Sequence, residues 1–295
     1  MTRLSKFGYK GAEENGVARI VSAHGDYYHL VCNEVDGEII ARKKKSAFSK
    51  RVESVREKGC VRKVGRGEIG TEILMPITGD FVRFRYNALG ESMITEILPR
   101  FSSFERKDPT AKRKSQTLAV NFDTLFIMMS LNEDFSTARI GRYLSLAENL
   151  GDAKAVVVLT KMDLMEPGDE EYIADLVDTI SGRAELLKIS ARTGQGIDGV
   201  LKYATPGKTL AFIGSSGVGK STLLNTLAGE EWAATQEIQE WSGKGRHTTT
   251  SRELVLLPSG AMVIDTPGIR EIGAVGEDDD VKIAKGFSTH RFRVK

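Results

Sequence analysis

The stretch GSSGVGKST, from Gly214 to Thr222, constrains the fold of this 295-residue chain more than any other feature. It matches the pattern G-x-x-x-x-G-K-[ST] and follows the apolar run TLAFI. A strand ending at Ile213 and a helix beginning near Lys220 would direct backbone N–H groups and the helix dipole at a polyphosphate. The pattern therefore predicts a phosphate-binding loop in an α/β domain. The alternative is a Gly/Ser turn before an ordinary helix.

The residues of this loop have separate expected roles. Lys220 is expected to reach the β- and γ-phosphates and to take part in catalysis, and the Ser221 hydroxyl is expected to ligate Mg²⁺. The residues of the loop predicted to contact the nucleotide are Gly214, Ser215, Ser216, Gly217, Val218, Gly219, Lys220, Ser221 and Thr222.

Two later motifs are typical of segments that sense a γ-phosphate. In GRHTTT, the Thr249 hydroxyl and N–H are expected to close over Mg²⁺ and the terminal phosphate. In DTPG, Asp265 is expected to hold the metal through water, and the Gly268 N–H to contact the γ-phosphate. The predicted metal ligands are therefore Ser221, Thr249 and Asp265.

Base recognition is predicted from two strand ends that precede the loop. TKMD supplies Thr160, Lys161 and Asp163, whose carboxylate can accept from guanine N1 and N2 together. ISA supplies Ser190 and Ala191, in a loop whose N–H groups can face the guanine O6. The expected ligands are thus GTP and GDP with Mg²⁺. An ATP-using P-loop kinase or ATPase is a disfavoured alternative.

The order of these motifs along the chain indicates a circular permutation. Ras-like domains begin with the phosphate loop, whereas here both base-reading motifs come first, and permutation requires only that the original termini lie close together. From Leu118 onwards, buried β-branched runs alternate with helical segments, which is typical of a mostly parallel sheet covered on both faces. The runs RELVLLP and AMVIDTPG are expected to form an antiparallel hairpin through Ser259 and Gly260.

The N-terminal third has a different sequence pattern, with short strand-like runs in place of alternating strands and helices. Five short runs predict strands in a small β-barrel, with an OB-type barrel as the natural candidate and a small sandwich or SH3-like barrel as alternatives. The fold prediction is an α/β chain in which an N-terminal OB-type β-barrel precedes a circularly permuted P-loop GTPase domain with a mostly parallel sheet. The predicted boundaries are a barrel over 1–100, a basic linker over 101–117, the GTPase domain over 118–275 and a tail over 276–295.

Charge is unevenly distributed along the chain. Residues 1–115 hold 23 basic and 15 acidic side chains, and residues 42–66 alone hold 11 basic and two acidic ones. This segment predicts RNA binding by the barrel, the alternative being a solvated loop with no partner. About half of five aromatic side chains, which are candidates for base stacking, are expected in the core: Tyr27, Tyr28, Phe81, Phe84 and Tyr86.

Several classes of protein are disfavoured. The sequence has no apolar run long enough for a membrane span and no secretory leader pattern, so a cytoplasmic protein without membrane contact is expected. The two cysteines, Cys32 and Cys60, lie far apart and form neither a disulfide framework nor a cysteine-rich metal site.

A basic barrel followed by this permuted motif order resembles the RsgA/YjeQ family of ribosome small-subunit-dependent GTPases. The resemblance rests on TKMDL, ISA, GSSGVGKST, GRHTTT and DTPGIRE, with the flanking NFDTLFI and RYLSLAE, and covers about residues 16–275. It implies GTP hydrolysis stimulated by the small ribosomal subunit during its late assembly, with that subunit and its rRNA as partners. The chain is expected to be a monomer. The alternative is an RNA-binding module that binds GTP structurally without useful turnover.

The chain departs from the family pattern in two places. Thr160 replaces an Asn, and the C-terminal zinc domain of the family, with its three Cys and one His, is expected to be truncated or altered here. No Cys follows Cys60, and His290 has no partner ligands in the sequence, so zinc is not expected in this chain. Ile269 occupies the place of the water-positioning Gln of Ras-like enzymes. His247 is therefore the first candidate for orienting the attacking water, with a solvated loop histidine as the alternative, and Arg246 is a candidate for neutralising transition-state charge.

Overall fold

The structure, a computed structural model, describes residues 2–12, 15–44, 49–50, 72–73, 75–106, 116–132, 135–180, 182–215, 217–229 and 252–265. A short helix, α1 (Arg3–Lys6), leads into the first group of strands. These strands are β1 (Val17–His24), β2 (Tyr27–Cys32), β3 (Ile39–Lys43), β4 (Ser49–Lys50), β5 (Glu72–Ile73), β6 (Phe81–Arg85) and β7 (Ser92–Ile97).

Five of these strands close into a barrel. The pairing order is β1, β2, β3, β7 and β6, and β6 returns to pair with β1. The β3–β7 pairing is parallel and the other four are antiparallel. Alternate residues of each strand point inwards, as the two-residue period of a strand requires, and ten of them form a buried core: Ala18, Ile20, Tyr28, Leu30, Cys32, Ile39, Ala41, Val82, Phe84 and Ile94. The predicted N-terminal barrel is therefore present.

The aromatic side chains of the barrel divide as expected. Tyr28, Phe81 and Phe84 are buried, whereas Tyr27 and Tyr86 remain 39% and 51% exposed. The basic segment 42–66 begins at the end of β3, and all of it beyond residue 44, except Ser49–Lys50, lies outside the described residues.

The second group of strands begins inside the predicted linker. Its strands are β8 (Ser103–Arg106), β9 (Gln116–Val120), β10 (Thr124–Ser130), β11 (Lys154–Thr160), β12 (Glu185–Lys188), β13 (Thr209–Ile213), β14 (Arg252–Leu256) and β15 (Met262–Asp265). β8 and β9 pair antiparallel, and Phe104 of β8 is fully buried. The helices are α2 (Thr137–Leu146), α3 (Asp169–Ile180), α4 (Ile197–Leu201) and α5 (Lys220–Ala228). We call the unit formed by β10–β15 and α2–α5 the α/β domain.

The parallel strands of the α/β domain bring the loops that follow them to the same edge of the sheet. β10 pairs in parallel with β11 and β13, β11 with β12, and β13 with β15. β14 and β15 pair antiparallel, so the predicted hairpin is confirmed. All seven residues of β10 are buried, because buried residues of α2 and α3 pack on one face and those of α4 and α5 on the other. The carboxyl ends of β11, β12 and β13 consequently face the same edge of the sheet.

The barrel and the α/β domain share one continuous sheet. β1 pairs antiparallel with β14, through Ser22 with Glu253 and Ala23 with Arg252. The outward face of β1 is covered as well, since Val21 belongs to the same buried cluster as Leu254. β1 is therefore the strand that joins the two units. None of the helices in the described ranges combines the length and the apolar character that a membrane span needs.

Candidate nucleotide-binding site

The predicted phosphate loop connects β13 to α5. All five residues of β13 are buried, and the chain turns sharply at Gly214, where φ is +154°. A Cβ at this position would lie 2.6 Å from the carbonyl oxygen of Met128. No other residue type fits here without moving the neighbouring strand, so the loop requires glycine at this turn.

The first turn of α5 is available to an anion. Gly219 occupies the N-cap with a left-handed φ of +97° and supplies no side-chain hydrogen bond to the helix. Amide groups at such a terminus, together with the helix dipole, favour a negative ligand. Ser221 and Thr222 are exposed on the same turn. These features fit a phosphate group, and the exposed Ser221 hydroxyl fits a Mg²⁺ ligand.

Lys220 folds back over the loop that precedes it. Its Nζ donates to the carbonyl oxygens of Gly214, at 2.6 Å, and Ser215, at 2.7 Å. The ammonium group therefore lies at the mouth of the loop, where it can donate equally to phosphate oxygens. The Ser215 hydroxyl is buried and has no hydrogen-bond partner among the described residues.

The end of β11 forms the second part of the site. Lys161 follows the strand with a φ of +60°, a left-handed conformation that is uncommon for a residue with a side chain. The turn that follows, Met162–Leu164, is anchored by the N–H of Met162, which donates to the carbonyl oxygen of Ile189 at 3.1 Å. This anchor places Asp163 against the loop that follows β12.

Asp163 is oriented by its neighbours in that loop. The Ser190 hydroxyl donates to Oδ1 at 2.6 Å, and a guanidinium nitrogen of Arg192 lies 3.7 Å from Oδ2. The Ser190 hydrogen bond, and then the positive charges of Arg192 and Lys161, hold the pKa of Asp163 below its usual range. The carboxylate is therefore ionised and fixed in orientation, as its predicted role of accepting from two guanine N–H groups requires.

Thr160 connects the two parts of the site. Its buried hydroxyl lies 2.7 Å from the carbonyl oxygen of Val218 in the phosphate loop and 3.4 Å from that of Met129. A hydroxyl has one hydrogen, so the shorter distance identifies Val218 as the acceptor. Thr160, at the position where the resemblance predicts an Asn, thus donates a hydrogen bond to the phosphate loop.

The predicted site residues that the structure describes lie at the carboxyl ends of β11, β12 and β13. Asp265 ends β15, the parallel neighbour of β13. Ser190 differs in detail from the prediction, because its N–H donates to the carbonyl oxygen of Gln195 at 2.9 Å and its hydroxyl orients Asp163. Sequence reasoning did not identify Arg192, although a basic residue directly after ISA was the available signal. The remaining candidates lie outside the described residues: Ser216, Arg246, His247, Thr249 and Gly268.

A metal-binding cluster of His, Cys, Asp and Glu side chains is absent from the described ranges. Cys60 and His290, the residues on which the zinc prediction depends, lie outside those ranges.

Comparison with known proteins identifies the family. The family model described as RsgA GTPase matches residues 97–275. The chain belongs to the RsgA GTPase family. The resemblance predicted from the motifs is thereby confirmed, and membership indicates a GTP hydrolase.

Two RsgA relatives show the degree of sequence identity and the share of each chain that is covered. The protein named small ribosomal subunit biogenesis GTPase RsgA 2 from Lactiplantibacillus plantarum is 39% identical over 264 residues, which are 88% of this chain and 68% of the relative. The RsgA protein of Leptospira interrogans is 41% identical over 212 residues, which are 72% of this chain and 58% of the relative. The chain thus spans about three fifths to two thirds of the length of these relatives.

Solved structures share the fold. YjeQ from Thermotoga maritima is 26% identical, with a TM-score of 0.57 over 85% of this chain and 74% of its own. YloQ, described as a circularly permuted GTPase, is 23% identical, with a TM-score of 0.52 over 88% of this chain and 73% of its own.

Proposed function

We propose that this chain binds the small ribosomal subunit and hydrolyses GTP to GDP and phosphate as a switch in late assembly of that subunit. The observation that carries the proposal is the hydrogen bond from the Thr160 hydroxyl to the phosphate loop, just before Asp163, whose carboxylate accepts from Ser190. It joins a phosphate-binding element to the strand end that precedes a guanine-reading carboxylate. The names of the RsgA relatives supply the small subunit as the partner.

In this proposal, different residues bind the base, the phosphates and the metal ion. Asp163 accepts from the guanine N1 and N2 groups, held in place by Ser190, while the amide groups of Gly217 to Ser221 and the Lys220 ammonium bind the phosphates. Ser221, Thr249 and Asp265 would hold Mg²⁺ directly or through water. When bound, Mg²⁺ neutralises charge on the β- and γ-phosphate oxygens. Thr249 and Gly268 sense the γ-phosphate.

Hydrolysis requires a group that orients water, and Ile269 has no polar atom on its side chain for this task. We assign that role to His247, and we assign to Arg246 the neutralisation of charge that develops in the transition state. Both residues lie in the segment that precedes β14, so contact with the ribosome there can complete the catalytic arrangement. Slow turnover of the isolated chain is expected.

The barrel is proposed to be an OB-type barrel that contacts rRNA. Its support is the pairing order, in which the third strand of the barrel runs parallel to the fifth and the first pairs with the fourth. The exposed rings of Tyr27 and Tyr86 offer stacking surfaces, and the 11 basic side chains of residues 42–66 offer contacts to phosphates. With such a partner the chain acts in the cytoplasm, as a monomer.

The decisive experiment measures GTP turnover with and without purified small ribosomal subunits, with ATP as the control nucleotide. Strong stimulation with GTP alone supports the proposal. Tight GTP binding without stimulation supports instead an RNA-binding module with a structural nucleotide. The affinity for subunits should also fall steeply as salt is added, because phosphate contacts release counterions. A flat salt response would exclude the basic segment as the RNA contact.

A further inference from the structure

Arg19 is a buried charged residue at the junction between the barrel and the α/β domain. It lies on β1, and its side chain is completely buried. One terminal nitrogen donates to the Phe7 carbonyl oxygen and to the Thr209 hydroxyl, at 3.0 Å, and lies 3.3 Å from the Met262 sulfur. The other terminal nitrogen donates to the Asn121 carbonyl oxygen at 2.8 Å.

This arrangement is costly for a cation. Among the described residues its hydrogen-bond partners are carbonyl, hydroxyl and thioether groups, and its Nε has no partner. Burial lowers the pKa of Arg19 to about 9, although the charges of Asp123 and Asp80 oppose the shift. A buried charge without a direct ion pair is tolerated only while its acceptors stay in place. The contacts of Arg19 therefore depend on a fixed placement of β1 against the α/β domain.

The acceptors of Arg19 lie on the elements that carry the nucleotide site. Thr209 is the first residue of β13, which leads into the phosphate loop, and Met262 is the first residue of β15, which ends at Asp265. Asn121 lies just before β10, and its side-chain amide donates in turn to the Gly79 carbonyl oxygen of the barrel at 3.1 Å. A single guanidinium group thus connects the barrel to the starts of two strands whose other ends form the site.

We infer that Arg19 makes the barrel and the α/β domain one cooperative unit, so that nucleotide binding at the phosphate loop stabilises the RNA-binding barrel. The inference rests on the proposed function, because it takes a guanine nucleotide as the ligand and the barrel as the RNA contact. A ligand that binds only the folded α/β domain raises the free energy of unfolding of that domain. It therefore slows hydrogen exchange at every amide that exchanges only when the domain unfolds. The barrel amides belong to this set if Arg19 couples the two units.

Hydrogen exchange of the full chain, with and without GDP, tests the inference. Two barrel amides are suitable reporters: the Phe84 N–H, which donates to the Gly16 carbonyl oxygen at 2.9 Å, and the Leu98 N–H, which donates to that of Phe81 at 2.8 Å. With GDP at 100 times its dissociation constant, their exchange should slow about 100-fold, as should that of core amides in the α/β domain.

The variant Arg19→Met removes the donors while keeping an apolar side chain of similar length. In this variant GDP should slow exchange of the barrel amides less than about threefold, while the α/β domain retains the full response. Arg83→Met is the matched control, since it removes the same charge from an exposed position on β6 and should behave like the wild type. If the Met variant does not fold, Arg19→Lys provides the test, because a lysine keeps the charge but lacks the guanidinium fork.

The outcomes separate the two proposals. Calorimetry that detects no GDP binding to the wild-type chain would refute the proposed function, and this inference with it. GDP binding without a response of the wild-type barrel amides would refute the inference alone. A full barrel response in the folded Arg19 variants would refute it as well, since coupling would then run through other contacts.

Discussion

Replacing Thr160 by valine tests whether the hydrogen bond between the end of β11 and the phosphate loop organises the candidate site. Valine keeps the shape of the side chain and the preference for a strand, but it has no hydroxyl. The carbonyl oxygen of Val218, which accepts at 2.7 Å in the wild type, then loses its partner in a buried environment. The change is therefore confined to one hydrogen bond.

The size of the effect follows from the burial of this carbonyl group. Leaving a buried polar group without its partner costs about 1–3 kcal/mol. The phosphate loop must hold its amide groups in position before phosphates bind, so part of this cost should appear in nucleotide affinity. Because every 1.4 kcal/mol corresponds to about a factor of ten in the dissociation constant, we expect GDP affinity to fall about tenfold.

Isothermal titration of GDP into the wild type, Thr160→Val and Thr160→Ser measures this effect. The serine variant retains the hydroxyl and should stay within about threefold of the wild type. A valine variant whose GDP affinity lies within twofold of the wild-type value would refute the reasoning, because the hydrogen bond would then serve only the stability of the fold.

Three further predictions concern the site and its support. Gly214→Ala should abolish measurable GDP binding in the same titration, since the added Cβ collides with a backbone carbonyl group; retained affinity would contradict the loop geometry. As pH falls, GDP affinity in the wild type should be lost only below the usual pKa of an aspartate, because the pKa of Asp163 is lowered and binding requires the ionised form. In Ser190→Ala that pKa rises towards its usual value, so the loss should begin at higher pH, and identical pH profiles of fluorescent-GDP binding would argue against the assigned contact. Asp80→Asn breaks a buried ion pair with Arg100, at 2.7 and 2.8 Å, and should lower the free energy of unfolding in urea by about 3–5 kcal/mol, a loss below 1 kcal/mol being the contrary result.

Local patterns in the sequence predicted the parts of the site that depend on neighbouring residues. The phosphate loop could be recognised because its glycines and its Lys220 have fixed spacing and follow an apolar strand. The residues proposed to read the base could be placed at one edge of the sheet because each motif ends an apolar run, and parallel strands bring such ends together. The alternation of apolar residues in five short runs was sufficient to predict the barrel.

Contacts between distant segments could not be predicted in this way. Arg19 stands in an ordinary half-apolar strand, and nothing in its neighbourhood indicates a burial that depends on Thr209, 190 residues away. The pairing of β1 with β14 also could not be predicted from a local pattern, because its register depends on both units being folded. The hydrogen bond from the Ser190 hydroxyl to Asp163 was not predicted either, because the two residues lie 27 positions apart and meet only through the fold.

The pairing of β1 with β14 also determines how the chain can be divided. A fragment that ends near residue 100 would leave the backbone of Ser22 and Ala23 without its β14 partner. It would also expose Val21 and Val31, which are buried in the cluster that contains Leu254. Unpaired strand backbone beside exposed valines is a template for association between copies. An isolated barrel should therefore aggregate unless this edge is blocked, for example by a lysine at position 21.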